Sequence, residues 1–165
     1  MKRYFLAVFA TLDDYAAIQN DFTPYLKGRW EAEEKLHATL YFFGGKFSEE
    51  TLLEMLEAVD FTIEPSVIAG MELFKKGQIL CVRSENPSLQ RLHNELAVLF
   101  GKPQHPFIPH ITLMRIKKVL DAGALERQMQ SYDKRTVGRL DKSVALVEST
   151  LLPAGAQYRI VKRLS

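Results

Sequence analysis

With only one cysteine, Cys81, the chain cannot form an internal disulfide, and a metal site built from several thiolates is excluded. Cys81 lies in the strand-like stretch QILCVRS and reads as a small core residue. Charge of one sign is also missing. Against 22 Lys and Arg stand 20 Asp and Glu, a formal net charge of +2, so the protein is no broadly basic polyanion binder and any anion site must be local. Basic residues gather at Lys75-Lys76, around Arg115, Lys117 and Lys118, at Lys134-Arg135 with Arg139, and at Lys162-Arg163, and most of these read as solvated faces. Long apolar runs are absent too. The stretch YFLAVFA is far too short to cross a bilayer, and the Lys2-Arg3 pair before it is followed by no small-residue cleavage site, so a cytoplasmic location is expected. A length of 165 residues then suits one domain over 1–165, built as one unit or as two small lobes sharing a core.

Histidine is scarce as well, yet two of the four His stand in the same tetrapeptide: His37-Ala-Thr-Leu and His110-Ile-Thr-Leu. With 8 Thr and 22 Leu among 165 residues, a given His meets this pattern with probability 8/165 × 22/165, roughly 0.006, and two of four do so by chance only about a few times in ten thousand. Either the chain carries duplicated strands that merely look alike, since Thr and Leu suit half-buried strands, or the repeat serves a chemistry.

The surrounding elements repeat loosely. Residues 3–12 read as a strand; Tyr15, Ile18, Phe22 and Leu26 then recur at helical spacing, on a helix fraying at Pro24. KLHATLYFFGG is a strand closed by two glycines, and Ser48 caps a helix whose buried stripe is Leu52, Leu53, Leu56 and Val59. The segment 61–84 reads as two or three strands with a turn at Lys75 to Gly77. Asn86-Pro87 opens a helix ending near Gly101, HPFIPHITLMRI follows as a strand, LDAGALERQMQSYD as a helix, and the chain closes with a hairpin of SVALVESTLLP against AQYRIVKRL. The two His, 73 residues apart (110 − 37), each lie on a strand followed by a helix. That period suits two related α+β lobes about a pseudo-twofold axis.

On a strand, His37 and Thr39 share one face and Ala38 and Leu40 the other; His110 and Thr112 pair likewise above Ile111 and Leu113. If the two strands meet across a cleft, the result is a near-symmetric site of two imidazoles and two hydroxyls. Two His are a thin set for zinc, and neither motif brings a carboxylate or thiol at ligand spacing, so no metal is expected. A Thr nucleophile with a His base fits poorly, because i, i+2 neighbours on a strand are not placed within hydrogen-bond reach. Paired general acid–base catalysis fits best: one imidazole takes a proton from water while the other protonates the departing oxygen, and Thr hydroxyls donate to non-bridging oxygens. A 2′,3′-cyclic phosphodiester on RNA suits such equipment, with a cation such as Arg115 to neutralise the phosphate. A non-catalytic module gripping RNA ends by the same four residues is the alternative from another class. Tyr41, Phe43 and Phe107 read first as core residues, with stacking on a base as their other reading; His93 and His105 match no motif and read as structural or surface residues.

These motifs carry a resemblance. YFLAVFA, KLHATLYFFGG, LQRLHNEL, PFIPHITLMR and LVESTLLPAGAQYRIV together resemble the two-histidine phosphoesterase superfamily, and within it the RNA 2′,3′-cyclic phosphodiesterases, also called 2′-5′ RNA ligases. The resemblance implies a bilobal α+β fold with two antiparallel sheets lining a central cleft and helices outside. It also implies metal- and cofactor-independent opening of RNA 2′,3′-cyclic phosphate ends to 2′-phosphates, 2′-5′ ligation being another use of the same site. The substrates would be RNA ends or nucleotides and the protein a monomer. By the resemblance His37 is the proton donor and His110 the acceptor, Thr39 and Thr112 hold the phosphate, and Arg115 matches the Arg that follows the second motif. Arg115 has the opposite strand parity to His110, so a bulge or the strand's end must turn it inward. The chain departs from the family at Cys81, where an aromatic is common, and in the turn FKKGQ.

Overall fold

The computed structural model describes residues 2–165; Met1 lies outside the described residues. Among the described residues eight strands and four helices follow in the order β1 (Lys2–Leu12), α1 (Tyr15–Phe22), β2 (Leu26–Trp30), β3 (His37–Gly44), α2 (Glu49–Leu56), β4 (Ser66–Phe74), β5 (Ile79–Arg83), α3 (Pro87–Phe100), β6 (His110–Val119), α4 (Ala122–Ser131), β7 (Thr136–Leu152) and β8 (Gly155–Arg163). Each helix starts where a side chain takes up a free first-turn amide: Asp14 accepts from the Ala17 N–H, Ser48 from Thr51, Asn86 from Ser88 and Asp121 from Ala124. Each then buries an apolar stripe, such as Leu89, Leu92 and Leu96 on α3.

All strand pairings are antiparallel, and the order β1-β3-β6-β5-β4-β7 closes on itself because β7 also pairs with β1. The closed order falls into two repeats of strand-helix-strand-helix-strand, β1-α1-β3-α2-β4 and β5-α3-β6-α4-β7. A half-turn that exchanges β1 with β5, β3 with β6 and β4 with β7 maps the ring onto itself. Only β2, on the edge of β6, and β8, on the edge of β7, break the symmetry. The two antiparallel sheets expected from the sequence are the ends of this ring, β3-β1-β7-β8 and β4-β5-β6-β2. They join where Ala38 pairs with Ile111 and where the first part of β7 pairs with both β1 and β4.

Several element bounds differ from those read in the sequence. Helix α1 ends at Phe22, and Leu26 belongs to a short strand, β2, that the helical spacing hid; Gly28 and two basic residues give that strand little β character. The stretch 101–109 is irregular, because Pro106 and Pro109 cannot donate to a ladder, and β6 begins only at His110. Strand β7 starts at Thr136, seven residues earlier than the hairpin reading, and residues 61–65 form no strand.

Cys81 sits opposite Thr112 with no solvent exposure, and burial pushes its thiol up to about 12. A thiol held protonated is a poor nucleophile, so Cys81 should resist dithionitrobenzoate in the native protein and react one-to-one only after denaturation.

Candidate active site

Ala38 and Ile111 pair across the seam between β3 and β6, and both are buried. In that antiparallel register Thr39 faces His110 and His37 faces Thr112, the four side chains lying on the face opposite Ala38 and Ile111. The pseudo-twofold axis thus passes through the seam, and the two His-x-Thr pairs form one diagonal set. All four line a cleft of about 410 Å³. A larger concavity, about 1230 Å³ between β4, β5 and α4, is lined by no histidine, so size alone points away from the imidazoles.

Beyond each motif the strand is bulged at the equivalent place. Along β1, Ala7 pairs with Thr39 but Leu6 with Tyr41, leaving Leu40 as the extra residue; along β5, Cys81 pairs with Thr112 but Leu80 with Met114, leaving Leu113 extra. Two apolar residues in a row are buried at each bulge, Leu40-Tyr41 and Leu113-Met114. Strand parity inverts past this point, so Phe42 and Arg115, each five residues after its His, turn into the cleft. The ladder carbonyls displaced by the bulges are taken up by side chains from the helices behind: His93 on α3 donates through Nδ1–H to Leu40 O at 2.9 Å, and the Tyr15 hydroxyl on α1 lies 3.1 Å from Leu113 O. His93 is buried and stacked on Phe107 at 4.1 Å, in keeping with a structural role. Tyr41 and Phe43 are buried in the core, the packing the sequence favoured for them, although unbroken alternation from His37 would have turned them toward the cleft.

The two rings are held alike. Nδ1 of His37 is 2.7 Å from Lys35 O and Nδ1 of His110 is 2.8 Å from Ile108 O, in each case the carbonyl two residues earlier. A carbonyl only accepts, so Nδ1 carries the proton in both rings and Nε2 is left for proton exchange. Their surroundings differ. Phe5, Phe9 and Tyr158 pack around His37 with ring centroids 5.1, 6.1 and 5.7 Å away, whereas Phe74 alone flanks His110 among the aromatic contacts of the described residues. Burial accordingly holds the His37 pKa below the usual imidazole value, and the charge of His110 works in the same direction. Below about pH 6.5 an unfolded chain takes up a proton at this position that the folded chain declines, so His37 lowers stability as the solution is acidified from neutrality. Thermal melts between pH 7.5 and 5 should show a steeper acid-side fall for the native protein than for His37→Gln.

Five cationic side chains, Arg3, Arg29, Lys35, Lys75 and Arg115, line the cleft against one carboxylate, Glu31. The local excess is 5 − 1 = +4 in a chain of net charge +2. Arg29 and Arg115 stand directly opposite each other on β2 and β6, a like-charge pair that an anion would relieve. Glu31 holds Arg115, accepting from its Nε at 3.2 Å. Sequence reasoning named only Arg115 of these five for the site. The others come from separate strands and turns; Arg3 and Lys75 stood in basic pairs, with Lys2 and Lys76, and Arg29 and Lys35 carried no sequence signal.

The ring of strands, the duplicated His-x-Thr seam and the cation-rich cleft resemble those expected of a two-histidine phosphoesterase. Comparison with known proteins agrees. Residues 79–156 match the family described as LigT like Phosphoesterase. An RNA 2′,3′-cyclic phosphodiesterase of Methanocaldococcus jannaschii is 27% identical over 140 residues, which cover 79% of this chain and 80% of that protein. Among solved structures, TT0787 of Thermus thermophilus superposes with a TM-score of 0.73 at 25% identity, covering 98% of this chain and 96% of that one. E. coli LigT complexed with 3′-AMP shares the fold at a TM-score of 0.71 and 19% identity, covering 98% of this chain and 96% of that one. The chain is thus similar to LigT-like phosphoesterases in sequence over residues 79–156 and shares their fold over nearly its whole length.

Proposed function

We propose that the protein opens 2′,3′-cyclic phosphate ends of RNA or nucleotides to 2′-phosphates, with His37 and His110 as acid and base. The observation that carries this reading is the diagonal His-x-Thr set, with both imidazoles anchored through Nδ1 so that two Nε2 atoms serve one cleft. His110 in its neutral form takes the proton of a water as its oxygen bonds to phosphorus. The P–O3′ bond breaks, and protonated His37 gives its Nε2 proton to the leaving O3′. Each ring ends in the other's starting state. The assignment of donor and acceptor follows the family resemblance. Burial by itself favours neutral His37, and the anionic diester supplies the negative charge that stabilises its protonated form.

Thr39 and Thr112 donate hydroxyl protons to the non-bridging oxygens, and Arg115 supplies positive charge from the second lobe. The names of relatives support the substrate: the Methanocaldococcus jannaschii protein is called an RNA 2′,3′-cyclic phosphodiesterase. The test is incubation of purified protein, with EDTA present, with 2′,3′-cyclic nucleotides, 2′-5′ and 3′-5′ dinucleotides, followed by chromatographic separation of products. A 2′-phosphate from the cyclic substrates is expected. Failure to turn over any cyclic phosphate would overturn the proposal.

A further inference from the structure

Strand β2 has no counterpart across the half-turn: it pairs with the outer edge of β6, and no strand lies on the equivalent edge of β3. What β2 adds is charge. Arg29 faces Arg115 in the cleft, and further along the same ladder, away from the seam, Lys27 faces Lys118. Between those pairs the ladder is bulged. Gly28 pairs with Ile116 and Lys27 with Lys118, so Lys117 is extra and two lysines of β6 oppose one of β2. By alternation Lys27 shares the face of Arg29 and Glu31, the face that lines the cleft. Lys27, Lys117 and Lys118 are exposed, and none is ion-paired among the described residues. Like charges set opposite each other weaken a ladder, so these lysines do not serve the pairing of β2. Lys27 alone would read as a guard of an open sheet edge, but Lys117 and Lys118 lie on the strand behind that edge. On the other side of β6 stands the β4–β5 turn, where Gln78 O accepts from the Ile116 N–H at 2.7 Å and brings Lys75 and Lys76 beside the same stretch. Both lysines have positive φ, 53° and 56°, in positions that glycine or asparagine fills at lower cost.

We propose that Lys27, Lys117 and Lys118, with Lys76 at their flank, form a track outside the cleft for the phosphodiester backbone of a single-stranded RNA whose reacting end lies at the seam, so that oligonucleotides are bound in preference to mononucleotides. The proposal rests on the phosphodiesterase reading for the identity of the reacting end. Two residues along a strand advance about 7 Å, so the lysine tier stands one such step beyond Arg29 and Arg115, on the scale at which successive phosphates follow one another in an extended strand. Lysine carries a point charge on a flexible stem and follows a backbone without reading bases, so the track is tolerant of sequence.

The test compares hexauridylate ending in a 2′,3′-cyclic phosphate with uridine 2′,3′-cyclic phosphate. At about 50 mM salt the native protein is expected to favour the hexamer in kcat/KM by roughly tenfold and to lose most of that margin by about 200 mM, since two or three phosphate contacts at a slope of about 0.7 each give a factor of that size. The triple variant Lys27→Gln, Lys117→Gln, Lys118→Gln should bring the margin toward unity through KM on the hexamer, with the mononucleotide rate unchanged and Tm no lower. Arginine at the same three positions should keep the margin. A second triple, Lys46→Gln, Lys102→Gln, Lys142→Gln, removes the same charge from exposed positions elsewhere and should behave as the native protein. No hexamer preference in the native protein, a preference kept in the first triple, or an equal loss in the second would overturn the track. Fluorescence anisotropy of a 5′-labelled hexauridylate 2′-phosphate separates the two readings, because it needs no turnover. Salt-dependent binding weakened only by the first triple would support the track even in a protein that proved inactive, whereas equal kcat/KM on both substrates would remove the track and leave the phosphodiesterase reading standing.

Discussion

Replacing either imidazole, in His37→Ala or His110→Ala, lowers kcat on 2′,3′-cyclic nucleotides by roughly 10² to 10⁴, the range of a positioned acid or base. The double variant falls little further than the worse single one, because a proton relay with one member missing has already lost the concerted step. The two variants differ in pH dependence. His110→Ala leaves His37 in its aromatic surroundings, where burial disfavours the charged ring, so residual activity that depends on protonated His37 rises as the pH is lowered through the range below 6.5. Steady-state rates between pH 5 and 8, with circular dichroism to confirm folding, check both points. Near-native rates in either variant would remove the paired-imidazole mechanism.

The second large effect concerns stability and falls on a glycine. Gly138 sits on β7 between Leu12 of β1 and Ile68 of β4, where the strand serves both ends of the ring. A Cβ placed there would stand 2.2 Å from Thr11 O and 2.8 Å from the Leu12 Cα, so backbone must move to admit it. Gly138→Ala is therefore expected to cost about 3 kcal/mol, the upper part of the range for overpacking, and to lower Tm by roughly 6–12 °C. Gly123→Ala is the control: the added Cβ in α4 meets nothing closer than 3.5 Å, and relief of glycine's helix penalty should raise stability by up to about 1 kcal/mol. Differential scanning calorimetry of the two variants decides. Equal Tm values would mean that the strand crossing is looser than its contacts indicate.

The duplication and its four polar residues were legible in the sequence because period-two alternation holds between His37 and Leu40 and between His110 and Leu113. The rule fails one residue later. An extra residue in a strand leaves the local composition unchanged, so the sequence hid Phe42, although it favoured the core for Tyr41 and Phe43, where they lie; the adjacent apolar pairs Leu40-Tyr41 and Leu113-Met114 were the available sign of the bulges. For Arg115 the same irregularity was required in advance by its parity, and the structure has it at Leu113. The cations missed by sequence reasoning share a different cause. Arg3, Arg29 and Lys35 come together only through pairings of strands distant in the chain, and β2, which carries Arg29, was itself unseen. No helix among the described residues is long and apolar enough to cross a membrane.

The boundary between the two repeats falls in the β4–β5 turn at Lys75 to Gln78, where Lys75 and Lys76 adopt positive φ. Neither side of that turn can complete a circuit of strands by itself: residues 2–74 leave β3 without β6 and β4 without β5 and β7, and residues 79–165 leave β5 without β4 and β7 without β1 and β4. A chain nicked there should therefore remain whole, the pieces holding each other as subunits do. By the same geometry, a half-length polypeptide bearing one motif would satisfy every one of those edges by associating with its own copy, and the isologous contact would generate both reactive rings from a single gene segment.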